Sequence, residues 1–270
     1  MLNLKKFLAS GRGRGAPPRI PKGERVYAVG DVHGRFDLLS VLARKIDEDD
    51  ASAKFANSTV VFLGDLIDRG PDSRSIIDFV MNWGAQRKVR TLMGNHEEMF
   101  LDSFLDLGVL SNFLRYGGSE TLQSYGIATD LAGNLTLADI QQAMHKKVPR
   151  KHRSFVGSFE SRVAIGDYLF VHAGIEPGKP VEEQDDKALR WIREPFLSHE
   201  AQHSHVVVHG HTIRKQADER PNRIGIDTGA YCFGRLTAIV LEGTDRRFIQ
   251  ARENSGTITV SHSENPHQLD

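Results

Sequence analysis

Several short apolar runs in this 270-residue chain stop abruptly at aspartate, histidine or asparagine beside glycine. The stretches are Gly30-Asp31-Val32-His33-Gly34, Gly64-Asp65-Leu66-Ile67-Asp68-Arg69-Gly70, Gly94-Asn95-His96-Glu97, His172-Ala173-Gly174 and His209-Gly210-His211-Thr212. A short apolar run bounded by glycine reads as a buried strand that delivers polar groups at its C-terminal end. A single Asp or His in such a place is commonly a turn former. The recurrence of the design makes Asp31, His33, Asp65, Asn95, His172 and His211 one constellation. They offer carboxylate, imidazole and amide oxygen with no sulfur, a set suited to Mn, Fe or Zn, and a carboxylate among them can bridge two cations. Mn is the expected ion.

Two divalent metal ions a few ångströms apart suit the hydrolysis of phosphate esters: they acidify a shared water and neutralise charge on the phosphoryl oxygens. The leaving alkoxide still needs a proton. His96, beside Asn95, is the fitting donor, and Asp68 can keep its imidazole protonated and oriented. Arg69 carries a planar fork that matches the non-reacting phosphate oxygens.

The elements that must position these groups follow from periodicity. Strands are expected at 26–29, 60–63 and 89–93. Between them, Phe36, Leu39, Leu42 and Ile46 recur at helical spacing, and a helix opened by Pro71 carries Ile76, Phe79, Val80 and Trp83 on one face and closes at Gly84. This is a right-handed βαβαβ pattern. From about 98 to 158 the chain reads as a helical insertion beside the polar edge, broken at Gly117-Gly118. A hairpin follows at 162–171, then a helical stretch at 189–194, and strands at 206–208, 224–226 and 236–241. The fold class is α/β (α+β), with two sheets packed face to face and helices outside.

Composition sets the bounds. Equal numbers of acidic and basic residues, 35 each, give no net charge to argue for a nucleic-acid or membrane partner. The one cysteine, Cys232, excludes an internal disulfide and a thiolate metal knot, and reads as inert. No apolar run is long enough to cross a bilayer, which makes a cytoplasmic location the default. Residues 1–24, with Gly-Arg-Gly-Arg-Gly and several prolines, read as a flexible basic leader, 25–253 as the catalytic domain, and 254–270 as a flexible tail. His209 reads as a strand-end core residue, and His203 and His205 as loop residues. Tyr231 and Asp227 stand either at the cleft border or in a structural turn.

The five motifs in this order resemble the signature of the PPP-type metallophosphoesterases, the phosphoprotein phosphatases and their bacterial and phage-type relatives, over roughly 25–241. The resemblance implies a four-layer αββα sandwich with a dinuclear site. By that resemblance one metal takes Asp31, His33 and Asp65, and the other takes Asp65, Asn95, His172 and His211, with Asp65 bridging. His96 with Asp68 would be the acid pair, and Arg69 and Arg193 of Trp-Ile-Arg-Glu the phosphate clamps. The wider metallophosphoesterase group often carries Gly-His-x-His at the last motif; this chain has Ile213 there, which favours the PPP branch.

The leading expectation is hydrolysis of phosphomonoesters, with phosphoserine or phosphothreonine on proteins as substrate. The runner-up is a hydrolase of dinucleoside polyphosphates on the same metal scaffold. A phosphoprotein-binding pseudoenzyme predicts a decayed ligand set, whereas this one is complete.

Overall fold

The computed structural model describes residues 16–52, 57–130 and 135–269. Strands β1 (Glu24–Val29), β2 (Asn57–Phe62) and β3 (Val89–Thr91) lie parallel, connected by helices α1 (Phe36–Ala51) and α2 (Ser73–Gly84). A second sheet contains β4 (Arg162–Ile165), β5 (Tyr168–Val171), β6 (Val206–His209), β7 (Asp218–Glu219) and β8 (Arg223–Gly225), in the order β4-β5-β6-β8-β7. Within it β5, β6 and β8 are parallel. The chain then returns to the first sheet through β9 (Arg235–Glu242), β10 (Asp245–Asn254) and β11 (Thr257–Ser263), giving the order β11-β10-β9-β1-β2-β3.

The C-terminal halves of β1 and β2 are buried on both faces, and they are apolar apart from Thr59. In β1 and β2, Tyr27, Val29, Val60 and Phe62 pack under the helices with Leu38, Leu42, Ile76 and Val80. The alternate residues Val26, Ala28 and Val61 face the other way, against Tyr168, Phe170, Val206, Val208 and Ile224 of the second sheet. The outer face of that sheet carries Leu169, Val171 and Val207, covered by Ile175, Phe196 and Leu189 of α8 (Asp186–Trp191). Four layers result, the last one thin.

Among the described residues between 95 and 156 the elements are helices: α3 (Asn95–Asp102), α4 (Leu107–Phe113), α5 (Ser119–Ser124), α6 (Leu137–Lys147) and α7 (Arg150–Val156). The break expected at Gly117-Gly118 is present: Tyr116 and Gly117 leave helical geometry, Gly117 at φ +106°, and the chain kinks there before α5 begins.

Two expectations at the ends are corrected. The stretch 254–270, expected to be a flexible tail, contains β11, which pairs antiparallel with β10 from Asn254↔Thr257 to Phe248↔Ser263. Its polar sequence misleads because only alternate residues, Ile258 and Val260, pack on the core. Of the expected basic leader, 1–15 lies outside the described residues. From 16 on the chain is tied down: Ile20 is buried, its N–H donates to Gly243 O at 2.8 Å, and the Arg19 N–H donates to Asp167 Oδ2 at 2.9 Å.

Candidate metal centre

Because β1, β2 and β3 run parallel, as do β5, β6 and β8, their C-terminal ends reach one edge of each sheet. The loops leaving that edge brace one another. The backbone N–H groups of Val32 and His33 donate to Asp65 O at 3.1 and 2.9 Å, and that of Gly34 to Leu66 O at 3.0 Å. Close approach is enforced at Gly94 and Gly210, where an added Cβ would stand 2.2 Å from Asp65 Oδ1 and 2.0 Å from Asp31 Oδ1. Among the described residues six non-glycines have positive φ, and five of them, His33, Asp65, Asp68, Arg69 and His211, belong to this edge. Such backbone conformations are costly for L-residues, so the packing around the site must hold them.

Asp65 is the centre of the arrangement. Its Oδ2 lies 3.6 Å from His33 Nε2, 3.5 Å from His172 Nε2 and 3.9 Å from His96 Nε2. Two groups could each hold a cation, His33–Asp65–His96 and Asp65–His172–His211, and Asp65 is common to both. Hydrogen bonds orient the imidazoles: His33 Nδ1 donates to Ile67 O at 2.9 Å and His172 Nδ1 to Leu63 O at 2.8 Å, so each presents an unprotonated Nε2. Asn95 Oδ1 lies 3.0 Å from His172 Nε2. Asp31 accepts from the His211 backbone N–H at 3.2 and 3.0 Å through its two oxygens. The structure thus brings together all six residues expected from the sequence.

Electrostatics divides the two aspartates: burial, with Asp227 and Asp65 alongside, raises the Asp31 carboxyl well above its ordinary range. Burial works against charge on Asp65, but His172, His96, His33 and His211 around it outweigh that and hold its carboxyl ionised, well below its ordinary range. Burial keeps His33 and His172 neutral, and burial with His172 alongside pushes His211 down to about 3. Buried polar atoms without a partner also gather here: His211 Nε2 and Asp227 Oδ2. A neutral imidazole nitrogen and a carboxylate oxygen with nothing to bind, beside an ionised aspartate, fit a divalent cation.

His96 Nδ1 donates to Asp68 Oδ2 at 2.6 Å, and Asp68 also accepts from Thr121 Oγ1 at 2.5 Å. Burial disfavours the imidazolium, but Asp65 and Asp68 more than offset it and raise the His96 pKa above its ordinary value. Arg69 spans the site, donating from Nη1 to His33 Nε2 at 2.9 Å, with Nη2 3.0 Å from His96 Nε2 and its guanidinium 4.6 Å from the Tyr231 ring centroid. Arg193 stands apart from this network. It is exposed beyond the end of α8, makes no side-chain hydrogen bond or ion pair among the described residues, and reaches the centre only through its charge, which is felt at His211.

Two further carboxylates, Glu97 and Asp227, stand at the site outside the ligand set expected from the sequence. Glu97 is buried and accepts backbone N–H bonds from Asp65 at 2.8 Å, Gly94 at 3.0 Å, Leu66 at 2.8 Å and Ile67 at 3.4 Å, so it ties the second and third motif loops together. Burial and the Asp65 charge push its pKa up to about 8. Its only sequence signal was its place beside His96. Asp227, left between cleft and turn by its sequence, is both: Oδ1 accepts the Gly229 N–H at 3.0 Å, while its charge acts directly on Asp31. Burial raises Asp227 to about 7. His209 is a core residue, edge-on to Phe196 at 5.1 Å.

The sequence model of the calcineurin-like phosphoesterases matches residues 24–236. An asymmetrical bis(5'-nucleosyl)-tetraphosphatase of Anoxybacillus flavithermus is 28% identical, over 78% of this chain and 88% of that one. Serine/threonine-protein phosphatase 2 of Salmonella typhimurium is 27% identical, over 78% of this chain and 90% of its own length. Among solved structures, a cold-active protein-tyrosine phosphatase of a psychrophilic Shewanella shares the fold with a TM-score of 0.53 at 20% identity, over 90% of this chain and 83% of that one.

Proposed function

Because this chain belongs to the calcineurin-like phosphoesterase family, we propose that it hydrolyses phosphoesters at a pair of divalent cations, held by Asp31, His33 and Asp65 on one side and by Asp65, Asn95, His172 and His211 on the other. The observation that carries this reading is the convergence of His33, His96 and His172 on one oxygen of Asp65 within 3.9 Å. When bound, the cations supply an acidified water and a screen for phosphoryl charge. Mn fits the donor set, and Fe or Zn fit it as well.

The chain's own groups complete the chemistry. Arg69 presents its fork between His33 and His96, where it can bind phosphoryl oxygens with two parallel N–H bonds. His96, with Nδ1 fixed on Asp68, delivers a proton from Nε2 to the leaving oxygen, and Asp68 stabilises the imidazolium before that transfer. Arg193, exposed and close enough for its charge to be felt at His211, serves as a second phosphate contact.

Two substrate classes suit this machinery. The dinucleoside tetraphosphate reading is supported by relatives such as that of Anoxybacillus flavithermus, and the phosphoserine or phosphothreonine reading by that of Salmonella typhimurium. The manganese-loaded protein, offered diadenosine tetraphosphate and a phosphothreonine peptide, is expected to turn over the nucleotide faster. Faster release of phosphate from the peptide would restore the phosphoprotein as substrate, and turnover of neither, with metal bound, would remove the phosphoester reading.

A further inference from the structure

Beside the metal centre, α3, α4 and α8 enclose a cavity of about 430 Å³. Its walls include Trp191 and Tyr116, 37% and 55% exposed, with Met99 and Val109 as apolar lining and Asn112 and Asp102 as polar groups. Large aromatics are ordinarily covered, and two of them left open on one cavity expose planar faces to a ligand. The Asn112 amide, the Asp102 carboxylate and the Tyr116 hydroxyl make no hydrogen bond or ion pair among the described residues.

The cavity joins the centre at both ends. The Trp191 ring lies 6.5 Å from that of His211. Tyr116 immediately precedes Gly117, whose carbonyl accepts the Arg69 N–H at 2.9 Å. The Trp191 indole is itself held in place, its N–H donating to Glu98 Oε2 at 2.6 Å, while Glu98 Oε1 accepts from Arg190 at 2.6 Å. A rigid aromatic face backed by a hydrogen-bonded network is an anchor that costs little conformational entropy on binding.

From this geometry we propose that the cavity receives a purine nucleoside, the organic arm of a substrate whose phosphate chain lies across the cations and Arg69. The inference rests on the phosphoester reading of the site and selects its substrate class. A purine offers a flat π-face to Trp191 and Tyr116, and an exocyclic amine or ring nitrogen to Asp102 and Asn112. A cationic peptide side chain is the competing occupant. It is disfavoured because Glu98 is already paired with Arg190 and Lys187 lines the same cavity, so a second cation would meet a like charge beside Asp102.

The test compares kcat/KM for diadenosine tetraphosphate with that for inorganic tetraphosphate, which has the anhydride chain but no base, using the manganese-loaded full chain. Tyr116→Ala is expected to lower this ratio at least tenfold, chiefly through KM, the size of effect that loss of one base–aromatic stack produces. Asn112→Ala lowers it less. Adenosine, which has no phosphate, is expected to quench Trp191 fluorescence, and Tyr116→Ala to lose that quenching. A ratio unchanged within twofold, or the absence of adenosine quenching in protein that still cleaves phosphoesters, overturns the proposal. A fall confined to phosphopeptide turnover overturns it too, by giving the cavity to a peptide. Loss of turnover on every phosphoester would instead strike the phosphoester reading, and adenosine quenching would still decide the cavity.

Discussion

The side chains of His96 and Asp68 meet at 2.6 Å, both buried, with Thr121 Oγ1 closing on the other oxygen of Asp68 and 2.8 Å from Ser73 Oγ. The carboxylate is therefore fixed in position and the imidazole takes its orientation from it.

His96→Asn is expected to bind metal as the wild type does and to lose roughly 10²–10³ in kcat on an alkyl phosphate, where the leaving group needs a proton, and much less on an aryl phosphate. Asp68→Asn moves the pH profile. The acid must be protonated, so activity falls as pH rises through the raised pKa of His96, and removing the negative partner brings that fall to lower pH. An unaltered rate in His96→Asn, or an unaltered alkaline limb in Asp68→Asn, removes the acid assignment.

Asp65→Asn takes the charge from the one side chain common to both candidate cation groups. Metal content measured on the purified variant is expected to fall well below two ions per chain, with activity lost in step. Retention of two ions would mean that the cations are held elsewhere.

Glu97→Ala leaves the backbone N–H groups of Gly94, Asp65, Leu66 and Ile67 without their buried acceptor. Each unpaired buried group costs about 1–3 kcal/mol, so a total loss of about 3–5 kcal/mol is expected after partial relaxation, read as a lower urea midpoint in metal-free protein. A loss below about 1 kcal/mol would show that the loops stand without Glu97.

Asp227 gives the metal-free protein a pH signature. Its pKa stands at about 7 when folded, because of burial and the neighbouring Asp65, against 3.8 in an unfolded chain. Between these values the folded state holds a proton that the unfolded state has released, so this group's contribution to stability falls as pH rises from about 4 to 7. Asp227→Asn keeps an acceptor for the Gly229 N–H and carries no charge. It is expected to raise the urea midpoint of metal-free protein at pH 8, by an amount equivalent to about 2–4 kcal/mol, and to leave it unchanged near pH 4. A midpoint that shifts equally at both pH values would place the effect in packing.

Much of this molecule can be read along the chain. The residues 26–29 and 60–63 are apolar without interruption, as parallel strands covered on both faces must be, and glycine beside a charged residue marks where each strand ends. Runs of this kind identify Asp31, His33, Asp65, Asn95, His172 and His211 because strand direction alone sends their side chains to one edge. The edge strand β11 escaped notice for the complementary reason: with one face open to water it alternates polar and apolar residues, and a polar chain end looks the same.

What the sequence by itself determined was the donor types and the strand ends that carry them. Only the tertiary structure decided which atoms meet. It turned Glu97 from a neighbour of His96 into the acceptor that ties two loops, set Asp227 against Asp31, and left Arg193 exposed at the rim rather than inside the network. It also placed Tyr116 and Trp191 on a common cavity from positions far apart in the chain. The physical reason is that a residue's chemistry and local periodicity are properties of its own segment. Desolvation, charge coupling and shared hydrogen bonds arise between segments, and they come into being only when the two sheets close on each other.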